Sequence, residues 1–135
     1  MSTHSCLLCI GTNYYRTANM AYARKDLEKH FPNIRFSKEM ETEAIGNHFL
    51  SPFSNQVAIF ETTLSAEEVR AIFKQIECDL GRLPTDKSYG VVKMDIDLLM
   101  YDGEEIHTDT LQIPHPLISQ RDFVKIPLQE VLDAK

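Results

Sequence analysis

Hydrophobic residues fill every position from Cys6 to Ile10 and stop at Gly11, so Ser5–Gly11 reads as a short buried strand. Gly11-Thr12-Asn13 then makes a turn. Ala18, Tyr22, Ala23 and Leu27 recur near helical spacing between Arg16 and His30, and Phe31-Pro32-Asn33 ends that helix. Ile34, Phe36 and Met40 alternate with Arg35, Ser37 and Glu39, the period of a half-buried strand. A polar stretch around Gly46, Asn47 and His48 leads past Pro52 to a second β run, Asn55–Thr62, rich in strand formers. Ser65 stands three residues before Glu68, the capping-box spacing, and Val69, Ile72, Phe73, Ile76 and Leu80 lay an apolar stripe along the helix that follows. Gly81 closes it. Leu83–Gly90 is a polar loop, Val91–Tyr101 returns to strand, Asp102-Gly103 reads as a hairpin turn, and Ile106 sits in a short returning strand. Pro114, Pro116 and Pro127 make a winding tail before a last helical turn at Leu128–Ala134.

The order β-α-β-β-α-β with a small hairpin and tail predicts an α+β, ferredoxin-like domain. Its antiparallel four-stranded sheet would carry two helices on one face and leave the other face open for ligands. Residues 1–135 show no repeat or linker and read as a single domain. Many unrelated functions use this arrangement, so function has to come from particular side chains.

Charge narrows the choice. The chain has 14 Lys+Arg against 20 Asp+Glu, a formal net charge of −6, and no basic run. Nucleic acid and anionic membrane surfaces reward clustered cations and are not expected partners. The apolar stretch Cys6–Ile10 has no Lys or Arg before it and is too short for a signal peptide or a membrane span. Cys6, Cys9 and Cys78 cannot all pair, which suits a reducing compartment, and a cytoplasmic location is expected. Cys6 and Cys9 form a C-x-x-C, but on a strand an odd separation sends them to opposite faces, which favours buried structural thiols over a zinc or redox pair. Oligomeric state is left open.

The segment with chemistry is Lys93-Met94-Asp95-Ile96-Asp97-Leu98. On a strand, Met94, Ile96 and Leu98 share one face while Lys93, Asp95 and Asp97 share the other, with the two aspartates about 7 Å apart along the backbone. Aspartate is depleted in strands and like charges on one face repel, so the pair calls for a cation. Magnesium meets that need, because it takes a few carboxylate oxygens and completes its shell with water and phosphate. A solvated outer face, or pairing with Lys93 and nearby arginines, is the competing reading. Downstream, His115 lies between Pro114 and Pro116, and Arg121 follows; held near the aspartates, these two would make a phosphate site.

Taken together, Gly11-Thr12-Asn13, Ile76-Glu77, Gly81-Arg82, Asp95-x-Asp97, Pro114-His115 and Arg121-x-Phe123 resemble, in order and over nearly the whole chain, the 6-hydroxymethyl-7,8-dihydropterin pyrophosphokinases of the folate pathway. The resemblance implies a ferredoxin-like fold and transfer of pyrophosphate from ATP to the pterin alcohol, with release of AMP. By the same resemblance Asp95 and Asp97 would hold two magnesium ions, and Glu77, Lys93, His115 and Arg121 would contact ATP. Arg82 would act at the root of a catalytic loop, Leu83–Val92. Gly46, Phe53, Asn55 and Phe123 would form the pterin pocket, with Asn55 on the amide edge and Phe123 stacked on the ring. The sequence departs from the family at Phe53, where a tyrosine is usual. In the loop, Tyr89, Val91 and Val92 replace a tryptophan and a proline-arginine pair, and Pro84 replaces a second arginine. Lys87 or Lys93 would be the substitute cations. Two other readings remain: a relative that binds nucleotide or pterin without turnover, and a ferredoxin-like regulatory or assembly domain.

Overall fold

The structure is a computed structural model that describes residues 2–42 and 52–116, the Lys87 side chain apart. Its elements are β1 (His4–Thr12), α1 (Arg16–His30), β2 (Arg35–Phe36), β3 (Met40–Thr42), β4 (Phe53–Thr62), α2 (Ala66–Asp79), a 3-10 turn at Asp86–Tyr89, β5 (Asp95–Tyr101), β6 (Ile106–His107) and β7 (Gln112–Ile113). The main sheet runs β2-β4-β1-β5, with β3 also on β4 and every pairing antiparallel. Because β2 and β3 are two pieces of one broken second strand, this is the ferredoxin-like order the pattern predicts. The strand expected from Ile34 to Met40 is interrupted at Ser37, whose amide bonds the Val57 carbonyl at 2.9 Å while its hydroxyl accepts the Val57 N–H at 3.2 Å.

Strand alternation divides the molecule. Cys6, Leu8 and Ile10 of β1, Ala58 and Phe60 of β4, and Ile96 and Leu98 of β5 face the helices and form the core. From α1 come Met20, Ala23 and Leu27, so the inward face includes Met20, whereas Ala18 and Tyr22 of the sequence stripe point outward. From α2 come Val69, Phe73 and Ile76, and Phe31, Phe60 and Phe73 meet edge to face or tilted at 4.4–6.4 Å. The capping box of α2 is complete: Ser65 Oγ accepts the Glu68 N–H and Glu68 Oε1 accepts the Ser65 N–H. Gly81, just past the helix, has φ +87°, the left-handed conformation in which glycine meets no Cβ penalty.

Two expectations are corrected. β5 begins at Asp95 and not at Val91, because Val92 is bonded sideways: Asn13 N–H donates to its carbonyl at 3.1 Å and Asn13 Oδ1 accepts its N–H at 2.7 Å. The chain does turn at Asp102 (φ 52°), but the strand after it, β6, pairs with β7 and not with β5. The outer edge of β5 is already taken, by the Glu77 carboxylate at the Ile96 N–H and by the His115 N–H at the Leu99 carbonyl. A bulge also breaks the alternation of β5. Leu8 faces Leu98 while Leu7 faces Met100, leaving Leu99 as the extra residue, so Tyr101 turns into the core and donates its hydroxyl to Leu64 O at 2.7 Å. The last helical turn expected at Leu128–Ala134 lies outside the described residues.

No described helix is long and apolar enough to cross a membrane. Cys6 and Cys9 are free and buried, on opposite faces of β1. Truncating Phe73 to alanine is expected to cost about 3–5 kcal/mol, whereas Ser65→Ala, which removes only the cap, costs about 1 kcal/mol; urea unfolding of the two variants checks the ranking.

Candidate active site

On the sheet face turned away from the helices, where Leu7, Cys9, Asn55 and Val57 are buried rather than open as expected, one lateral row crosses four strands. Met40 pairs with Asn55, Asn55 with Gly11, and Gly11 with Asp95. One step along, Val57, Cys9 and Asp97 form the next row. Adjacent strands lie about 4.8 Å apart, so Asn55 and Asp95 stand two strands, or roughly 10 Å, from each other across Gly11. Gly11 is required by that approach: a Cβ there would come within 2.7 Å of Asn55 Oδ1. Asn55 is itself oriented by Thr42, whose hydroxyl accepts its amide N–H at 2.8 Å. Phe53 shares the face with Asn55, two residues along β4. Gly46 and Phe123, the remaining members of the expected pterin pocket, lie outside the described residues, as does Arg121.

At the other end of the row the charges are dense. Arg82, directly after Gly81, bonds Asp95 Oδ1 at 2.9 Å, the Met94 carbonyl at 3.0 Å and Glu77 Oε1 at 3.2 Å. Burial works against the Arg82 guanidinium, but its bond to Asp95 and the nearby Glu77 outweigh it and hold the group more firmly protonated than usual. Glu77, expected to contact ATP, is only 3% exposed. Its carboxylate already meets the Ile96 N–H at 2.8 Å, Lys74 at 3.1 Å and Arg82. Among the described residues Asp97 has no such arginine. Burial first, and the Asp95 carboxylate second, push its carboxyl up to about 8, with Lys74 pulling weakly the other way. Cys9, opposite Asp97, is likewise driven well up by burial and by both aspartates. The His115 imidazole is lowered by its burial against an opposing pull from Asp95, which favours the neutral ring.

Asp97 and His115 open onto a cleft of about 360 Å³ between α2 and the β6–β7 hairpin, also lined by Arg70, Lys74, Thr108 and Thr110. This volume is within the range of small-molecule sites. Sequence reasoning passed over Arg70 and Lys74. Their signal was present as spacing: residues 70, 74 and 77 recur at i, i+4 and i+7 on α2, a polar stripe beside the apolar one. Lys93, expected on the face of the aspartates, sends its ammonium back to the Gly81 carbonyl at 3.0 Å and to Asp86 Oδ1 at 3.5 Å.

Two carboxylates on one strand face, one paired with Arg82 and the other left as the protonated acid near neutrality, form a donor set that fits magnesium, which would supply the charge that Asp97 lacks.

Comparison with known proteins gives the family. The sequence profile of the family described as 7,8-dihydro-6-hydroxymethylpterin-pyrophosphokinase matches residues 7–133. The chain belongs to this pyrophosphokinase family. A 2-amino-4-hydroxy-6-hydroxymethyldihydropteridine pyrophosphokinase of Aquifex aeolicus is 33% identical over 116 residues, covering 86% of this chain and 72% of that protein. One of the same name from Porphyromonas gingivalis is 36% identical over 103 residues, 73% of this chain and 69% of that protein. The folic acid synthesis protein FOL1 of Dictyostelium discoideum is 42% identical over 79 residues, 58% of this chain but only 12% of that protein. Pyrophosphokinase activity in folate biosynthesis is the chemistry of the family, with ATP as co-substrate and magnesium as its metal.

The acid pair dictates a pH dependence. Unfolded Asp97 ionises near 3.8, whereas in the fold it holds its proton up to about 8, so between these limits the native state binds more protons and stability falls as pH rises. In EDTA the urea midpoint is expected to drop from pH 5 to pH 8, and Asp97→Asn to flatten most of that slope. Magnesium is expected to raise the midpoint more at pH 8 than at pH 5.

Proposed function

We propose that this chain transfers the terminal pyrophosphoryl group of ATP to the hydroxymethyl oxygen of 6-hydroxymethyl-7,8-dihydropterin. The substrate oxygen attacks the β-phosphorus in line, the bond from that phosphorus to the α-β bridging oxygen breaks, and AMP leaves with that oxygen. The observation that carries the reading is the row Asn55–Gly11–Asp95, which sets an amide able to read a heterocycle edge about 10 Å from the phosphate side of the face. Beyond the described residues, Gly46 and Phe123 would complete the ring pocket and Arg121 would reach the triphosphate.

The residues divide the work by place. Phe53 lends an apolar surface to the flat ring, and Asn55, fixed by Thr42, offers its amide to the ring's polar edge. Two magnesium ions held by Asp95 and Asp97 would neutralise and align the triphosphate when bound. Arg82 fixes the Asp95 rotamer through the bond at 2.9 Å. Neutral His115 is suited to hydrogen bonding on the nucleotide, and Arg70 and Lys74 bring positive charge to the cleft wall beside Asp97. The loop arginines missing at Pro84 and Val92 have no local replacement at Val92, which is 7% exposed and bound to Asn13. The cations of α2 therefore take over part of the charge stabilisation. That substitution is also what favours the second reading, binding without turnover.

An AMP-release assay with ATP, Mg²⁺ and the dihydropterin separates the two: pterin-dependent AMP supports transfer, and tight binding of both ligands with no AMP supports the binder. Asp95→Asn and Asp97→Asn are each expected to lower AMP release by about 100-fold or more while the pterin still titrates. Gly11→Ala, which displaces Asn55, is expected to weaken pterin binding about tenfold, on the order of 1.4 kcal/mol, leaving nucleotide binding unchanged; fluorescence titration of the pterin reads it.

A further inference from the structure

The segment between α2 and β5 is held at its base by two cations that cross. Arg82, the first residue beyond Gly81, reaches forward to the Met94 carbonyl and Asp95. Lys93, two residues before Asp95, reaches back to the Gly81 carbonyl at 3.0 Å and passes 3.8 Å from where a side chain on Gly81 would begin. Within the segment Asp86 is a hub. Its Oδ2 accepts the Leu83 N–H at 2.8 Å, its N–H donates to the Leu83 carbonyl at 3.1 Å, and its carbonyl accepts the Val91 N–H at 3.1 Å. Residues 83–91 are thus folded around Asp86 as a unit. Asn13 ties down the far end by donating to the Gly90 carbonyl at 2.8 Å, so the unit's position turns on what Asp86 itself holds.

Among the described residues, the tertiary partner of the Asp86 side chain is Lys93, at 3.5 Å. The two side chains are 12% and 20% exposed, so solvent screens this pair less than a surface one. The Tyr14 ring, 5.8 Å from the ammonium, walls the other side of Lys93.

We propose that Lys93 is a positioning residue: through Asp86 it latches the 83–91 unit beside the phosphate site, and it does not itself ligate phosphate. The kinetic part of this inference rests on the transfer reading above; the structural part does not. The latch also explains why a lysine serves in a family segment where arginines are usual. Its task is to span from the mouth of β5 to one carboxylate and one carbonyl, which a single flexible ammonium does with separate protons.

Chymotrypsin tests the latch, because Tyr89 is 72% exposed on this unit and Leu83 is protected by the proline after it. Cleavage after Tyr89, mapped by mass spectrometry, follows the open population when opening is fast. Lys93→Met and Asp86→Asn, the latter keeping an acceptor for the Leu83 N–H, are each expected to speed that cut about fivefold, near 1 kcal/mol. The double variant is expected to cut no faster than Lys93→Met alone, since both changes remove one interaction, and Lys93→Arg to stay within about twofold of the natural chain. In the AMP assay both single variants and the double are expected to raise KM for ATP by a shared factor with less change in kcat. Unchanged cleavage, or effects that multiply in the double variant, would overturn the latch. So would a loss of kcat in Lys93→Met that Asp86→Asn does not share, because that marks a direct phosphate ligand. If the natural chain releases no AMP at all, the transfer reading fails while the cleavage result still decides the latch.

Discussion

Glu77 sits 3% exposed at the end of α2, with one oxygen on the Ile96 N–H and the other between Lys74 and Arg82. A buried carboxylate is tolerated only where hydrogen bonds and opposite charge replace water, and each of those partners contributes to the site. The Ile96 amide is on the outer edge of β5, which no described strand pairs, so Glu77 caps that edge. Drawn to the same carboxylate, Arg82 arrives within 2.9 Å of Asp95. Lys74 is left at the cleft beside Asp97. Helix, edge strand and acid pair are fastened by one side chain.

Around that fastening, alternation sends one set of strand residues to the helices and the other set to the opposite face. Leu8, Ile10, Ile96 and Leu98 go to the helices, and Leu7, Cys9, Gly11, Asp95 and Asp97 go to the opposite face. The separation breaks at Leu99, where the bulge passes Tyr101 into the core beyond the last aspartate. The aspartates thus fall on the regular part of the strand, with fixed spacing. Fixed spacing is also why their charges conflict: burial and the Asp95 carboxylate leave Asp97 holding its proton, a conflict that a divalent cation bound there would relieve.

Cation placement is where this chain parts from the familiar pattern of its family. Val92 is a buried tie to Asn13, not a reaching arginine; the described cations lining the cleft beside Asp97 are Arg70 and Lys74 of α2, while the Lys93 ammonium is turned to Gly81 and Asp86. Function can survive such a change because phosphoryl transfer depends on where charge stands more than on which strand or helix supplies it.

Much of this was legible in the sequence. Short-range rules settle α2, since Ser65, Glu68, the apolar stripe and Gly81 interact within one or two turns, and period-two alternation places Asp95 and Asp97 on one face whatever the rest of the chain does. The order of strands followed from the order of elements. What sequence could not decide was every feature that depends on register between distant segments: the row joining Asn55, Gly11 and Asp95, the bulge at Leu99, the sideways tie of Val92 to Asn13, and the turn of Lys93 toward Asp86. Local patterns report which face a residue takes, because that depends on its neighbours in the chain. Only the packed sheet decides which residue from another strand it meets, because a shift of one position would preserve each local pattern and exchange every partner.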